Sequence, residues 1–279
     1  MKPASFQMHF AQSQDEVLKL LDLHGEDARI LAGGQTLVPV LAMRVANPKH
    51  LIDINQIEEF KRYHVINEAL HVGAGVRQSE LEDWRDLSAV QPLLKMMFPW
   101  IAHTPIRNRG TICGSIAHAD PSAELVLALA TLGGSVHLAS KQRKRTVKAN
   151  DFFLGALQTD RHSDELITSV QFPIKTDRVG YGFSEFGYRH GDFAVVAVAS
   201  IKEGSHWTIG FGGIDDTVKV HRFSADSLDD ACQAIDQLAS TIQVREDPTA
   251  TSGLRRHLMR TLGRNACQQA VEFRKDQVV

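Results

Sequence analysis

The chain has 279 residues, enough for two or more domains and for a core that buries about three quarters of the unfolded surface. Its formal net charge of -2 supplies no field to hold a polyanion, which argues against a nucleic-acid partner. Cys113, Cys232 and Cys267 are odd in number, far apart and free of any CxxC pair, so neither a disulfide framework nor an iron-sulfur centre is expected in this chain. Nothing resembles the apolar core of a leader peptide or the ~18 apolar residues of a membrane span, so the expectation is a soluble, cytoplasmic protein.

In chain order, a short strand is expected near Phe6 to Phe10. A helix from about Asp15 to His24 follows, started by Ser13 or Gln14 and ended by Gly25. Ala28 to Leu31 reads as a buried strand, Leu37 to Val45 as a helix with Pro39 tolerated in its first turn, and Leu51 to Ile54 as a strand. Ala69 to Gly75 is strand-like and Ser79 to Asp86 helical. Asp120 and Pro121 suit the N-cap and first position of an apolar, buried helix that Gly133 and Gly134 stop. The basic run Lys141 to Arg145 between two β-like segments reads as a solvated hairpin tip. A short helical piece opens at Asp151, and a strand runs from Leu166 to Phe172, where Pro173 ends it. From about Ile174 the texture changes. Tyr181 to Tyr188, Phe193 to Ile201 and His206 to Gly212 read as three antiparallel strands, followed by helices near Leu228 to Ala239 and Ser252 to Val271. A domain boundary is expected near residues 174 to 180.

Two loops carry the chemistry. Ala32-Gly33-Gly34-Gln35-Thr36 and Thr111-Ile112-Cys113-Gly114-Ser115 are both small and polar, and each leads into an apolar stretch. Glycine lets backbone amides approach a ligand closely, so this layout suits a phosphate cradle. A dinucleotide fingerprint is excluded, because Gly73-Ala74-Gly75 is followed by Gln78 where the third glycine belongs. Walker A, serine-elbow, HExxH and EF-hand patterns are absent as well. His103, His118 and Asp120 lack a third ligand of suitable spacing, since Asp120 is taken as a cap, so no metal site is expected.

The strings LAGGQTLVPVLAMR, LIDI, VGAGV, HTPIRNRGTICGSIAHADPSAEL, DFF, DELITSVQFP and GYRHGDF occur in the order found in flavoprotein subunits of molybdenum hydroxylases. In this the whole chain resembles the medium subunits of carbon monoxide dehydrogenases and the flavin domain of xanthine dehydrogenase.

The resemblance implies an α+β fold. Residues 1–175 would form a two-part FAD-binding domain of the p-cresol methylhydroxylase (PCMH) type, with subdomains of about 1–55 and 56–175. Residues 176–279 would form a C-terminal domain with a three-stranded antiparallel sheet and a helical bundle. It implies noncovalent FAD, held by Leu31, Ala32, Gly33, Gly34, Gln35, Thr36 and Leu37 together with Thr111, Gly114 and Ser115. Ile101 and Ala117 would line the cofactor, Glu124 would contact the nucleotide, Ile167 would pack near the adenine, and Glu185 and Phe193 would stand near the flavin ring. Three departures from the family pattern stand out: Cys113 replaces a glycine, Ser115 an asparagine and Glu185 a lysine, the last implying a more negative field. A buried pyrophosphate needs several oriented donors, and the flavin carries the redox chemistry, so no general base is required. In such complexes a large subunit holds molybdopterin and a small one holds iron-sulfur clusters, with FAD passing electrons to NAD or another acceptor.

Two other classes remain open on the sequence, a self-sufficient FAD oxidoreductase and an assembly module that kept the fold without redox activity. Flavin absorption separates the second from the rest, and co-purifying subunits separate the first.

Overall fold

The computed structural model describes residues 2–175 and 179–273. The first layer is a three-stranded parallel sheet of β1 (Gln7–Phe10), β2 (Ala28–Leu31) and β3 (His50–Asp53), in the order β1-β3-β2. Helix α1 (Gln14–His24) packs Val17, Leu18 and Leu21 on this sheet, and the Ser13 side chain caps it by accepting from the Glu16 amide. Helix α2 (Leu37–Ala42) follows β2 and stops three residues before the expected end, where Arg44 turns the chain with φ 58°.

The second layer is an antiparallel sheet of five strands. They are β4 (Tyr63–Ile66), β5 (Ala69–Gly73), β6 (Ser135–Ala139), β7 (Lys144–Lys148) and β10 (Leu166–Pro173), in the order β4-β5-β10-β6-β7. Between β5 and β6 run the short helices α3 (Gln78–Glu82), α4 (Leu87–Val90), α5 (Pro92–Met97), α6 (Thr104–Arg107) and α7 (Ile112–His118), then α8 (Glu124–Leu132). Helix α9 (Ala149–Phe152) and the small hairpin β8 (Phe153–Gly155) with β9 (Gln158–Thr159) lead into β10.

The third layer is an antiparallel sheet, β11 (Val179–Phe186), β12 (Val196–Glu203), β13 (His206–Gly212) and β14 (Lys219–Ser224), covered by α10 (Leu228–Thr241) and α11 (Ser252–Glu272). The three expected strands are present, and β14 adds a fourth on the β13 edge. Its alternation of half-buried and exposed residues is the mark of an edge strand with one wet face, too weak a pattern to be recognised from sequence. The expected domain boundary includes residues 176–178, which lie outside the described residues.

Helix α8 is buried along all nine residues because it is packed against β10 of one sheet and β12 and β13 of the next. Its expected start needs correction. Asp120 caps a turn, its carboxylate accepting from the Ser122 amide at 2.8 Å, and the helix begins only at Glu124. The Pro121 carbonyl accepts from the Gly213 amide at 2.9 Å, which holds this turn against the end of β13 and delays the helix. The expected stop is observed at Gly133, in the left-handed region at φ 69°.

The basic hairpin tip is exposed from Lys141 to Lys144, as its sequence implies, yet most of its charges find partners. Lys141 pairs with Asp22 at 2.8 Å, and Arg143 and Arg145 reach the fully buried Glu165 carboxylate at 3.1 and 2.7 Å. Despite its burial, the Arg145 guanidinium and the His162 amide hold Glu165 down at about 2. Three of the four charges in this run, those of Lys141, Arg143 and Arg145, are matched to partners distant in sequence. No helix among the described residues is long and apolar enough to cross a membrane.

Candidate functional site

The first glycine loop leaves the C-terminal end of β2 and enters α2. Gly34 takes φ 72°, which an L side chain rarely adopts. Gly33 is buried against the chain just ahead of the second loop, where a Cβ would overlap the Arg109 carbonyl oxygen and lie 2.8 Å from the Gly110 Cα. Among the described residues, the amides of Gly33, Gly34, Gln35, Thr36 and Leu37 donate to no protein acceptor. Orphan donors need a partner, so a loop of them suits an anion.

A polar latch joins the two loops. The Asn55 side-chain amide donates to the Ala32 carbonyl at 3.0 Å, and Arg77 donates to the Asn55 oxygen at 2.6 Å and to the Arg109 carbonyl. Gln78 N donates to Gly110 O at 2.9 Å and Ile112 N to Val76 O at 3.2 Å, pinning the second loop to the end of β5. Sequence reasoning missed Asn55 and Arg77. The available signal was their position, each just beyond a strand end on the side where the loops emerge.

The second loop is organised by Thr111, which is 2% exposed and caps α7. Its hydroxyl oxygen accepts from the Gly114 amide at 3.0 Å, while Ser115 N donates to Thr111 O at 3.2 Å. Two of the residues picked as ligand donors therefore engage one another, and Thr111 retains only its hydroxyl proton to offer. Cys113 fills the core beneath the loop and donates to Val72 O at 3.5 Å, and burial pushes its thiol up to about 12. It is an inert filler of the space, not a thiolate.

The other predicted residues are spread over further elements. Ala117 is exposed on α7, whereas Ile101 and Ile167 are both buried in the central core, Ile167 beside a bulge in β10. The Gly191 turn leans on Ala102 and His103, and His190 packs beside Trp100 and His103, so this turn lies next to Ile101. Phe193 emerges from it 60% exposed and lines a cavity of about 330 Å³ with Asp120, Ser122, Leu157, Arg245 and Arg255. Arg255 is buried and donates to Val195 O at 3.1 Å and to Asp247 at 2.6 Å, which fixes the wall behind Phe193.

Glu124 opens α8 and Glu185 lies on β11, and each is coupled to charge in a dry setting. Burial pushes Glu124 up to about 7. Burial, reinforced by the Glu124 charge, pushes Glu185 up to about 9, and its Oε2 has no hydrogen-bond partner among the described residues. Burial thus works against the more negative field expected from Glu185. At neutral pH this carboxyl keeps its proton, because ionising it in a site without a donor costs more than the proton's release returns.

Residues 4–175 match the model of the FAD binding domain in molybdopterin dehydrogenase. The chain belongs to this family. It is 36% identical over 200 residues to the caffeine dehydrogenase subunit beta of Pseudomonas sp. strain CBB1, covering 71% of this chain and 68% of that protein. To subunit alpha of the 6-hydroxypseudooxynicotine dehydrogenase complex of Paenarthrobacter nicotinovorans it is 39% identical over 201 residues, covering 72% and 68%. The fold matches a chain of the carbon monoxide dehydrogenase of Hydrogenophaga pseudoflava with a TM-score of 0.90 and 27% identity, over 98% of this chain and 99% of that one. Within the FAD-binding family, the free amides of the first loop and its glycine contact with the second fit a pyrophosphate-bearing cofactor.

Proposed function

We propose that this chain is the flavoprotein subunit of a molybdenum-containing hydroxylase. It holds FAD noncovalently and passes electrons from the iron-sulfur clusters of a small subunit to NAD or another acceptor, the molybdopterin being held in a large subunit. The observation that carries this reading is the row of unpartnered amides from Gly33 to Leu37, latched to the Thr111 loop within a chain whose residues 4–175 match an FAD-binding family. The relatives' own names as subunits of dehydrogenases support a heteromeric assembly. Three unpaired cysteines accord with a cytoplasmic location.

When bound, FAD supplies a carrier that accepts and releases electrons, and the protein's part is to position it and set its surroundings. Leu31 to Leu37 would present amides and the Thr36 hydroxyl to the phosphates, and Ser115 would add a second hydroxyl from across the latch. Ile101, Ala117 and Ile167 would contribute apolar contact. Glu124 would accept from a ribose or amino group, and Glu185, neutral, would offer its proton to a flavin carbonyl or nitrogen without adding charge. Phe193 would limit access to the ring from the cavity it lines.

The test is expression with the neighbouring reading frames. The expected result is a yellow complex of three subunits that releases FAD, not FMN, on denaturation. A colourless chain that cannot be reconstituted with FAD overturns the reading, and complete substrate turnover by the isolated, metal-free polypeptide replaces it with a self-sufficient oxidoreductase.

A further inference from the structure

Three histidines meet at the opposite end of the first layer from the glycine loop. His9 lies in β1, His24 in the last turn of α1 and His50 at the start of β3. β1 and β3 run parallel, so His9 and His50 emerge on the sheet face that α1 covers, and the helix terminus delivers His24 to the same spot. His9 Nε2 is 3.0 Å from His50 Nδ1, and the His24 and His50 rings are stacked with centroids 3.6 Å apart. One ring nitrogen from each residue lies within 4.8 Å of the others, and all three side chains are half-buried.

A structural role alone explains this grouping poorly. One imidazole pair satisfies the hydrogen bond, and apolar residues would seal the helix to the sheet without desolvating polar rings. His24 adds a third imidazole that makes no hydrogen bond among the described residues. Three imidazoles from three separate elements instead form a donor set for a borderline metal ion. In tetrahedral coordination at about 2.0–2.1 Å, ligand nitrogens sit roughly 3.3 Å apart. Reaching that geometry requires the stacked His24 and His50 rings to turn so that both ring planes converge on the ion.

We propose that His9, His24 and His50 bind one divalent transition-metal ion of the zinc type, with solvent completing the coordination. Asp27, ion-paired with Lys49 at 2.8 Å, stands nearby as an outer partner. The ion would tie the C-terminus of α1 to β1 and β3. The strands separate the site from the flavin loop by roughly 10 Å, so metal binding is distinguishable from cofactor binding.

The test titrates the purified, chelator-treated full chain with Zn²⁺ by calorimetry and with Co²⁺ by visible spectroscopy. One equivalent should bind, with Co²⁺ d–d bands and no sulfur-to-cobalt charge-transfer band. His9→Gln, His24→Gln and His50→Gln should each weaken binding by about tenfold or more, with flavin content unchanged, whereas substitution of histidines on the second sheet, His64→Gln in β4 and His137→Gln in β6, should leave metal affinity unaltered. As a second measurement on the unmutated chain, Zn²⁺ should protect these three histidines from carbethoxylation. Absence of Zn²⁺ binding, parent-like affinity in the three variants, a thiolate band with Co²⁺, or failure to protect overturns the proposal.

Discussion

Gly33 rests against Gly110 so closely that a methyl group on the former would come within 2.8 Å of the latter's Cα. This contact, not the glycine's backbone freedom, brings two loops far apart in sequence into one cradle. The φ requirement falls on the next residue, Gly34, at 72°. Neighbouring glycines thus have different physical reasons, and their substitutions should differ in kind.

Gly33→Ala should part the two loops, costing about 1–3 kcal/mol of stability through overpacking and most of the flavin. Gly34→Val should leave the fold largely intact and remove flavin, since it strains only the loop and presses on Val38, whose Cγ2 would lie 3.1 Å from a Cβ. Melting temperature and the ratio of flavin to protein absorbance separate the two. Equal melting and unchanged flavin content in both variants would refute the assignment of this loop.

The latch predicts a second effect. Asn55→Ala removes the donor to Ala32 O and the acceptor of Arg77, leaving polar groups without partners at a cost of about 1–3 kcal/mol. Flavin dissociation should quicken while circular dichroism stays unchanged. If the dissociation rate matched the parent chain, the latch would have no part in holding the cofactor.

Glu185 gives a pH dependence whose sign is fixed by its raised value. A carboxyl ordinarily near 4.5 and held here at about 9 keeps its proton in the folded chain while the unfolded chain releases it. Its contribution to stability is therefore full below about 4.5 and lost as pH rises toward 9. Glu185→Gln, neutral at every pH, should flatten that decline in denaturant unfolding measured across this range. A parallel pair of curves for parent and variant would show that Glu185 ionises normally.

Phe193 stands at the rim of its cavity and 60% exposed, so its removal should not unfold the chain. Phe193→Ala is expected to keep flavin content and to change the rate at which the reduced flavin is reoxidised by its acceptor. Stopped-flow reoxidation with NAD and with oxygen tests this, and unchanged rates with both would withdraw the residue from the access route.

Sequence alone determined the elements whose cause is local. Ser13 as a cap, Gly133 as a stop, the apolar run of α8 and the strands around the two glycine loops follow from nearest-neighbour chemistry, and the ordered motifs identify the flavin family. Tertiary structure decided what depends on groups distant in the chain. Asp120 lost its helix because Gly213 claims the Pro121 carbonyl, and Thr111 spends its acceptor capacity on Gly114. Glu185 is pushed toward its neutral form because β11 carries it into a dry space near the Glu124 charge. Asn55 and Arg77 acquire meaning only when β3 and β5 end beside the loops, and His9, His24 and His50 only when α1 folds back on its sheet. Hydrogen bonding, dielectric and metal affinity are set by what surrounds a group in space, and a one-dimensional pattern encodes that only where the surroundings are also its sequence neighbours.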